Sequence, residues 1–278
     1  MDTVRRLTEE PVLVEPAGFV PSGCRDCRNR NPLQIPITMA FQPIVDVNTR
    51  RPFGYEALVR GKGGEGAGAV LDLVDENNRY AFDQTCRVTA IDLAARLGLE
   101  GMLSINFLPN AVYRPETCIR ATLEAAVEMN FPTERLMFEV TESERVRDHA
   151  HLKHIFVEYK RRGFTTAIDD FGAGHSGLNL LADFQPDIVK LDMALTRGID
   201  ADRVRRAIVS GIVRLCDELG IRVIAEGVET PGECLALQDE GVSLFQGYLF
   251  AKPGFESIPE IPATVWPTVA RRRKADRR

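Results

Sequence analysis

The sequence contains eight short apolar segments with the character of β-strands, and most of them are separated by stretches with helical periodicity. Strands that alternate with helices form parallel sheets, and eight of them predict a closed α/β barrel of the TIM type, (β/α)8. The length of 278 residues suits one such barrel or two smaller domains. The predicted strands are Met39–Asp46, Phe53–Arg60, Met102–Asn106, Leu136–Val140, Phe164–Asp169, Asp187–Leu191, Ile221–Glu226 and Ser243–Tyr248.

The connection between the first two predicted strands differs from the others. It consists of the short turn Asn48–Pro52, which has no room for a crossover helix. These two strands are therefore expected to be antiparallel, so that the barrel begins with one reversed strand.

Several helices are predicted between the strands. Helical sequence follows the glycine-rich loop Gly61–Gly68 as far as Leu97, opens again at Pro115, and runs from about Ala150 to Arg162. The clearest helix spans Asp202–Leu219, with Gly220 at the position that follows a helix end. It has an apolar stripe made of Val204, Ile208, Ile212, Leu215, Cys216 and Leu219.

The chain divides into three predicted regions: a leader at 1–35, the barrel at 36–260 and a basic tail at 261–278. The leader is rich in proline, has no clear period and is expected to be partly disordered or to wrap the barrel. It carries Cys24 and Cys27 as a CxxC, but no second CxxC or nearby histidine completes a zinc site. Free thiols are therefore favoured over a redox or intermolecular metal role.

Composition excludes some classes of function. The formal net charge of −5 argues against a protein that binds bulk DNA or RNA, since such proteins usually carry a basic surface. No stretch has the length of a membrane span, and the first ten residues lack the apolar core of a signal peptide. A cytoplasmic location is expected.

Two adjacent carboxylates, Asp169 and Asp170, end the fifth predicted strand and precede a glycine-rich loop. Like charges this close repel each other, and a divalent cation is the simplest compensation. An ordinary Asp turn or helix cap is the alternative for these two residues taken alone. Other strands also carry polar residues at or near their ends, and in a barrel those ends share one face. This set consists of Glu56, Asn106, Glu139, Asp169, Asp170, Lys190, Glu226 and Gln246.

The oxygen-bearing members of this set suit hard cations such as Mg²⁺ or Mn²⁺. A first ion would be held by Glu56, Asn106, Glu139 and Asp169, and a second by Asp170 and Glu226 with Asp169 bridging. Two such ions about 4 Å apart would activate a water and stabilise the leaving oxygen of a phosphodiester. Lys190 could orient that water, and Arg60 is suited to a phosphate.

At these residues the chain resembles the EAL-domain family of cyclic-di-GMP phosphodiesterases, from about Met39 to Pro253. The motifs that carry the resemblance are Gln42-Pro43, Glu56-Ala57-Leu58 with Arg60, Asn106, Glu139-Val-Thr-Glu142, Asp169-Asp170-Phe171-Gly172, Lys190 with Asp192, Ala225-Glu226-Gly-Val-Glu229, and Gln246-Gly247. The resemblance implies a barrel with an antiparallel first strand, two Mg²⁺ or Mn²⁺ ions per site, hydrolysis of cyclic-di-GMP to linear pGpG, and a homodimer.

The resemblance also implies roles for single residues. Glu56, Lys190, Asp170 and Glu226 would be catalytic, with the two sets of metal ligands as given above. Substrate contacts would come from Gln42, Leu58, Arg60 and Gln246. Glu142 would anchor the loop after Asp170, and Glu229 would support the site from outside the ligand set.

The loop after Asp170 departs from the family pattern at Ala173, His175 and Gly177. None of these is an implied ligand, so loop stiffness, dimer contact and turnover are in question rather than the chemistry. Two alternatives to the active enzyme stay open at this point. One is a non-catalytic EAL receiver that binds cyclic-di-GMP or a protein partner, and the other is a barrel phosphodiesterase for a different nucleotide.

Overall fold

The computed structural model describes residues 35–141, 149–174 and 177–270, and forms a closed barrel of eight strands with one short additional strand. The strand order is β2-β3-β4-β5-β6-β7-β8-β1-β9, and a further pairing of β1 with β2 closes the barrel. The strands are β1 (Ile37–Asp46), β2 (Arg51–Gly61), β3 (Met102–Asn106), β4 (Leu136–Thr141), β5 (Thr165–Phe171), β6 (Ile188–Leu191), β7 (Arg222–Ala225), β8 (Leu244–Gln246) and β9 (Gly254–Phe255).

Helices connect the parallel strands and cover the outside of the barrel. They are α1 (Ala67–Leu71), α2 (Arg79–Arg96), α3 (Pro115–Cys118), α4 (Arg120–Glu128), α5 (His149–Arg161), α6 (Gly177–Asp183), α7 (Met193–Thr196), α8 (Arg203–Glu218), α9 (Pro231–Asp239) and α10 (Val265–Thr268). No helix of the described residues is long and apolar enough to cross a bilayer.

The predicted TIM-type barrel and its antiparallel first strand are confirmed. β1 runs antiparallel to β2, with Gln42 opposite Glu56, and antiparallel to β8, with Ile44 opposite Gln246. From β2 to β8, each strand is parallel to the next one along the chain. Because parallel strands end at the same face, the polar residues at their ends are brought towards one point.

The apolar core has two parts. A small cluster fills the barrel interior and consists of Ile44, Met137, Ala167, Ile188, Ile224 and Leu244. A larger layer lies between the strands and the helices, where aromatic side chains such as Phe138 and Tyr159 pack with ring centroids 4.9 Å apart. The interior cluster lies below the strand ends and supports the polar face above it.

The structure differs from the sequence predictions at two helices. The helical stretch that ends at Leu97 is split into α1 and α2, because the Asp75 side chain accepts hydrogen bonds from the backbone N–H groups of Asn77 and Asn78 and forms a turn. Helix α8 forms as predicted, but Val204 and Ile208 of its apolar stripe are 68% and 45% exposed.

The predicted region boundaries are only partly within the described residues. Almost all of the leader, including Cys24 and Cys27, and the basic end 271–278 lie outside them. Residues of the predicted tail up to 270 are described, and there Val265 and Val269 are buried while Trp266 packs beside Phe250. This segment therefore packs against the part of the chain that follows β8.

Candidate metal centre

Five carboxylates converge where the parallel strands end. Two groups of them could each hold a cation, Glu56 with Glu139 and Asp169, and Asp169 with Asp170 and Glu226. Within each group, one carboxylate oxygen of every member lies within 4.8 Å of one oxygen of each other member. Asp169 belongs to both groups, which is the arrangement that the sequence predicts for a bridging ligand.

Lys190 lies at the centre of these carboxylates. Its side chain is fully buried, and its Nζ is 2.9 Å from both Asp169 and Glu226, 3.1 Å from Glu139 and 3.4 Å from Glu56. One ammonium group cannot neutralise five carboxylates, so four negative charges are left when all of them are ionised. Two divalent cations would balance that charge, since unpaired buried charges are costly.

The pKa values of the site reflect this excess of negative charge. Burial raises the pKa of Glu139 and of Glu226 well above the ordinary value, although Lys190 opposes the shift. Burial also raises the pKa of Glu56, but Lys190 and the hydrogen bond from Gln246 outweigh it and hold this pKa below the ordinary value.

Amide side chains complete the surroundings of Glu56. Asn106 Nδ2 donates to Glu56 Oε1 at 3.0 Å and to Glu139 Oε1 at 2.9 Å, and Gln246 Nε2 donates to Glu56 Oε2 at 2.6 Å. Gln246 Nε2 is also 3.3 Å from Gln42 Oε1. The amide nitrogen of Asn106, rather than its oxygen, faces the carboxylates, so a metal ligand at this position requires the amide to turn over.

Asp169 and Asp170 reach the same site although neighbours along a strand normally point to opposite faces. The register of β5 with β6 is irregular between Ile168 and Phe171, and Asp170 has a positive φ of 53°. This bulge turns the second carboxylate back towards Glu226. Burial, with the charges of Asp169 and Asp192, raises the pKa of Asp170 to about 6.

The donor set fits divalent cations. All five charged donors are carboxylates, which hard ions prefer. Among the described residues, the buried atoms Asp169 Oδ1 and Gln246 Oε1 have no hydrogen-bond partner, although the former is in ion-pair contact with Lys190. Asp169 Oδ1, a buried carboxylate oxygen of the residue common to both groups, is therefore suited to bind a cation.

Other residues predicted for the site lie at its edge or elsewhere. Leu58 lines a cavity of about 310 Å³ that also reaches Glu56, Asn106 and Asp169. Arg60 is half-buried and its Nη1 donates to Val59 O at 2.7 Å. Glu229 forms a half-exposed ion pair with Arg197 at 2.6 Å. Glu142 and His175 lie outside the described residues.

Two hydroxyl groups near the carboxylates were not predicted. Ser104 Oγ donates to Glu139 Oε2 at 2.6 Å, and Thr196 Oγ1 donates to the backbone oxygen of Glu226 at 2.5 Å. Ser104 could have been found, because it lies two residues before Asn106 and so on the same face of β3. No sequence pattern indicates Thr196, because α7 and the loop after β7 come together only in the folded chain.

The whole barrel matches a known protein family. A family model described as "EAL domain" matches residues 32–253. The chain belongs to the EAL domain family. Among curated EAL relatives, the "Blue light- and temperature-regulated antirepressor BluF" of Escherichia coli K12 is 34% identical over 229 residues. That match covers 82% of this chain and 56% of BluF.

Two further comparisons bear on the EAL site. The "Cyclic di-GMP phosphodiesterase PA2567" of Pseudomonas aeruginosa PAO1 is 28% identical over 233 residues, which cover 77% of this chain and 38% of that protein. A standalone EAL protein of Vibrio cholerae O395, solved in a c-di-GMP-bound form, is 58% identical with a TM-score of 0.81. That match covers 84% of this chain and 98% of the solved one.

The "BlrP1" of Klebsiella pneumoniae, solved as a manganese and cyclic-diGMP complex, is 36% identical with a TM-score of 0.77. The match covers 83% of this chain and 60% of that one. The chain therefore spans only part of BlrP1, BluF and PA2567, between about two fifths and three fifths of their length. Divalent cations and a cyclic dinucleotide are bound by proteins of this fold.

Proposed function

We propose that this EAL domain is a metal-dependent phosphodiesterase that hydrolyses cyclic-di-GMP to linear pGpG. The observation that carries the proposal is the pair of overlapping carboxylate groups that share Asp169 and surround Lys190. The name of PA2567 and the c-di-GMP-bound state of the Vibrio cholerae EAL protein support the substrate.

The proposed ligands of a first Mg²⁺ or Mn²⁺ ion are Glu56, Asn106, Glu139 and Asp169, and those of a second are Asp169, Asp170 and Glu226. Two such ions supply an activated water and positive charge opposite the oxygens of a phosphodiester. Glu56, Asp170, Glu226 and Lys190 are the proposed catalytic residues. With these ions bound, Lys190 would contact fewer carboxylates, and its free N–H groups would orient the attacking water.

Substrate contacts are proposed for Gln42, Leu58, Arg60 and Gln246. Gln42 and Gln246 lie side by side next to Glu56, within reach of a group bound there. Leu58 offers an apolar wall to a base in the adjoining cavity. Arg60 would exchange its contact with the Val59 carbonyl for a charge-assisted hydrogen bond to a phosphate. Glu142 and Glu229 are proposed to support the loops after β5 and β7.

A homodimer is proposed from large apolar side chains that are exposed on α6, α7 and α8. These side chains are Leu178, Met193, Val204 and Ile208, all of them substantially exposed. Large apolar side chains on neighbouring helices in this number are typical of a protein–protein contact. The cytoplasmic location stays a prediction from the sequence.

One alternative function has an observation in its favour. BluF is named an antirepressor, and its match covers most of this chain, which supports a receiver that acts through a protein partner. Such a receiver would bind cyclic-di-GMP or the partner without hydrolysis. The complete carboxylate set favours the enzyme, since a receiver has no need of five mutually repelling ligands.

The experiment that separates these functions measures binding and hydrolysis on the same protein. Purified protein is incubated with cyclic-di-GMP in Mg²⁺, in Mn²⁺ or in EDTA, and pGpG is quantified by chromatography. Asp169→Asn, which removes the shared ligand charge, is the matched inactive control. We expect pGpG only with metal and only from the parent protein. Calorimetric binding of cyclic-di-GMP without product in either metal supports the receiver, and hydrolysis of another cyclic nucleotide instead would correct the substrate.

A further inference from the structure

A buried ion pair lies behind the candidate metal centre, on the helix that packs outside β3. Asp83 and Arg87 of α2 are one helical turn apart, with Arg87 Nη2 2.8 Å from Asp83 Oδ2 and side chains 1% and 0% exposed. Helical pairs at this spacing are normally on the surface. Replacement of a buried pair by apolar residues is often neutral or stabilising, so stability alone gives little reason for this one.

Asp83 holds the loop that follows β3. Its Oδ1 accepts a hydrogen bond from the backbone N–H of Leu108 at 2.9 Å. Leu108 is only two residues beyond Asn106, whose amide bridges Glu56 and Glu139. The intervening residue, Phe107, donates its N–H to the backbone oxygen of Glu139 at 3.0 Å. The backbone after Asn106 is thus fixed to β4 on one side and to α2 on the other.

Arg87 extends the same connection to β4 and α5. Its Nη1 donates to Tyr159 OH at 2.8 Å, and its guanidinium lies 5.7 Å from the ring centroid of Phe107 and 5.3 Å from that of Phe138. Phe107 directly follows Asn106, and Phe138 directly precedes Glu139. The cation is therefore packed against the neighbours of two proposed ligands of the first ion.

On its other side, the loop after β3 borders a cavity. Phe107 and Leu108 both line the cavity of about 310 Å³ that reaches Glu56 and Asp169. Phe107 is also buried among aromatic rings of β4 and α5, so this packing and the backbone hydrogen bonds together fix the segment. The Asp83–Leu108 bond joins the backbone of this segment to α2.

We propose that Asp83, held by Arg87, is a positioning residue for the first metal site: it fixes the β3 exit loop and thereby the place of Asn106 between Glu56 and Glu139. The inference rests on the proposed function, because it takes Asn106 as a ligand. Residues that hold a ligand in place commonly change metal affinity by about 10- to 100-fold when they are lost.

Two double variants isolate the hydrogen bond from the charge. Asp83→Leu/Arg87→Met and Asp83→Asn/Arg87→Met both remove the ion pair without leaving a single buried charge, and only the second keeps an acceptor for the Leu108 N–H. Arg135→Met is the control, because Arg135 Nε donates to Gly101 O at 2.6 Å and anchors the opposite end of β3. Mn²⁺ affinity is measured by titration calorimetry on the purified chains, beside thermal unfolding in EDTA.

We expect Mn²⁺ affinity to fall about 10-fold or more in the Leu/Met variant and to stay near the parent value in the Asn/Met variant and in Arg135→Met. In the Leu/Met variant, activity should recover at high Mn²⁺. If the Leu/Met protein does not fold, Tyr159→Phe tests the same connection by freeing Arg87 Nη1, with a smaller loss of affinity expected. Equal Mn²⁺ affinity in parent and variants overturns the inference alone, whereas a parent that binds no Mn²⁺ overturns the proposed function and the inference with it.

Discussion

Replacement of Lys190 by methionine tests whether this ammonium is the internal counter-charge of the metal-free site. Methionine keeps much of the length and flexibility of lysine but removes the charge. Lys190 Nζ is within 3.4 Å of four carboxylates, so all four lose their nearest cation at once. Loss of one partner of a buried ion pair costs about 3–5 kcal/mol. For a chain of this size that corresponds to a fall in Tm of roughly 6–20 °C.

The loss of stability in Lys190→Met should increase as the pH rises. The pKa values of Glu139 and Glu226 are already raised in the folded protein, and without Lys190 they rise further. Carboxyl groups whose folded pKa is raised contribute stability below their unfolded pKa and lose it as the pH rises through the folded pKa. The Tm difference between Lys190→Met and the parent is therefore expected to be larger at pH 8 than at pH 5.

Added metal should stabilise the variant and narrow its difference from the parent. A ligand at 100 times its Kd stabilises the folded state by about 2.7 kcal/mol. The variant has one more uncompensated negative charge than the parent, so it should bind Mn²⁺ more tightly although its turnover falls. Affinity and activity are thus expected to move in opposite directions.

The assay is thermal unfolding by circular dichroism at pH 5 and pH 8, in EDTA and in Mn²⁺, with turnover measured in parallel. Lys160→Met is the control, because it removes a partly exposed ion pair with Asp187 at 3.1 Å that is worth about 0–1 kcal/mol. Equal Tm values for Lys190→Met and Lys160→Met in EDTA at pH 8 would refute the reasoning. A loss of stability that Mn²⁺ leaves unchanged would refute it as well.

Three further predictions concern the same site and its surface. Glu139→Gln, an uncharged isostere, should reduce the fall in the metal-free Tm between pH 5 and pH 8. The reason is that the raised pKa of Glu139 makes its ionisation destabilising in this range. A fall in Tm equal to that of the parent would contradict this. Since the pKa of Asp170 is raised to about 6, protons should compete with Mn²⁺ below that pH. Calorimetry should therefore show that the affinity for Mn²⁺ rises from pH 5 to pH 7, and that it rises less steeply in Asp170→Asn. Ile208→Glu should convert the proposed dimer to a monomer in light scattering, while Glu218→Gln on the same helix should leave the oligomeric state unchanged.

The barrel could be predicted from the sequence because its signals are local. Each strand is a short apolar run, and the turn Asn48–Pro52 by itself requires an antiparallel pair. Helix α9 could have been found in the same way, since Thr230 and Glu233 form a capping box at its start. The carboxylates that meet at the site are also those which the strand ends predict, because parallel strands bring their ends together.

Other features depend on the folded chain and have no local signal. The periodicity of α8 shows which residues share a face, but it cannot show that Val204 and Ile208 lie on the outside of the barrel. The spacing of Asp83 and Arg87 is typical of an ion pair on a helix surface. Only the packing of α2 on β3 makes this ion pair a buried one. The bulge that turns Asp170 towards Glu226 likewise depends on how β6 pairs with β5.

The barrel is closed only when β1 pairs with both β2 and β8, which has a consequence for how the protein is made. Gln42 and Gln246 meet across this closure although they are 204 residues apart, and both amides lie beside Glu56. Contacts between distant segments form late in folding, since the loop between them must be ordered first. A nascent chain that has not yet emerged as far as Gln246 has no closed barrel and no complete substrate face. We therefore expect a chain truncated before β8 to lack the proposed phosphodiesterase activity, and that activity to arise only after β8 has been synthesised.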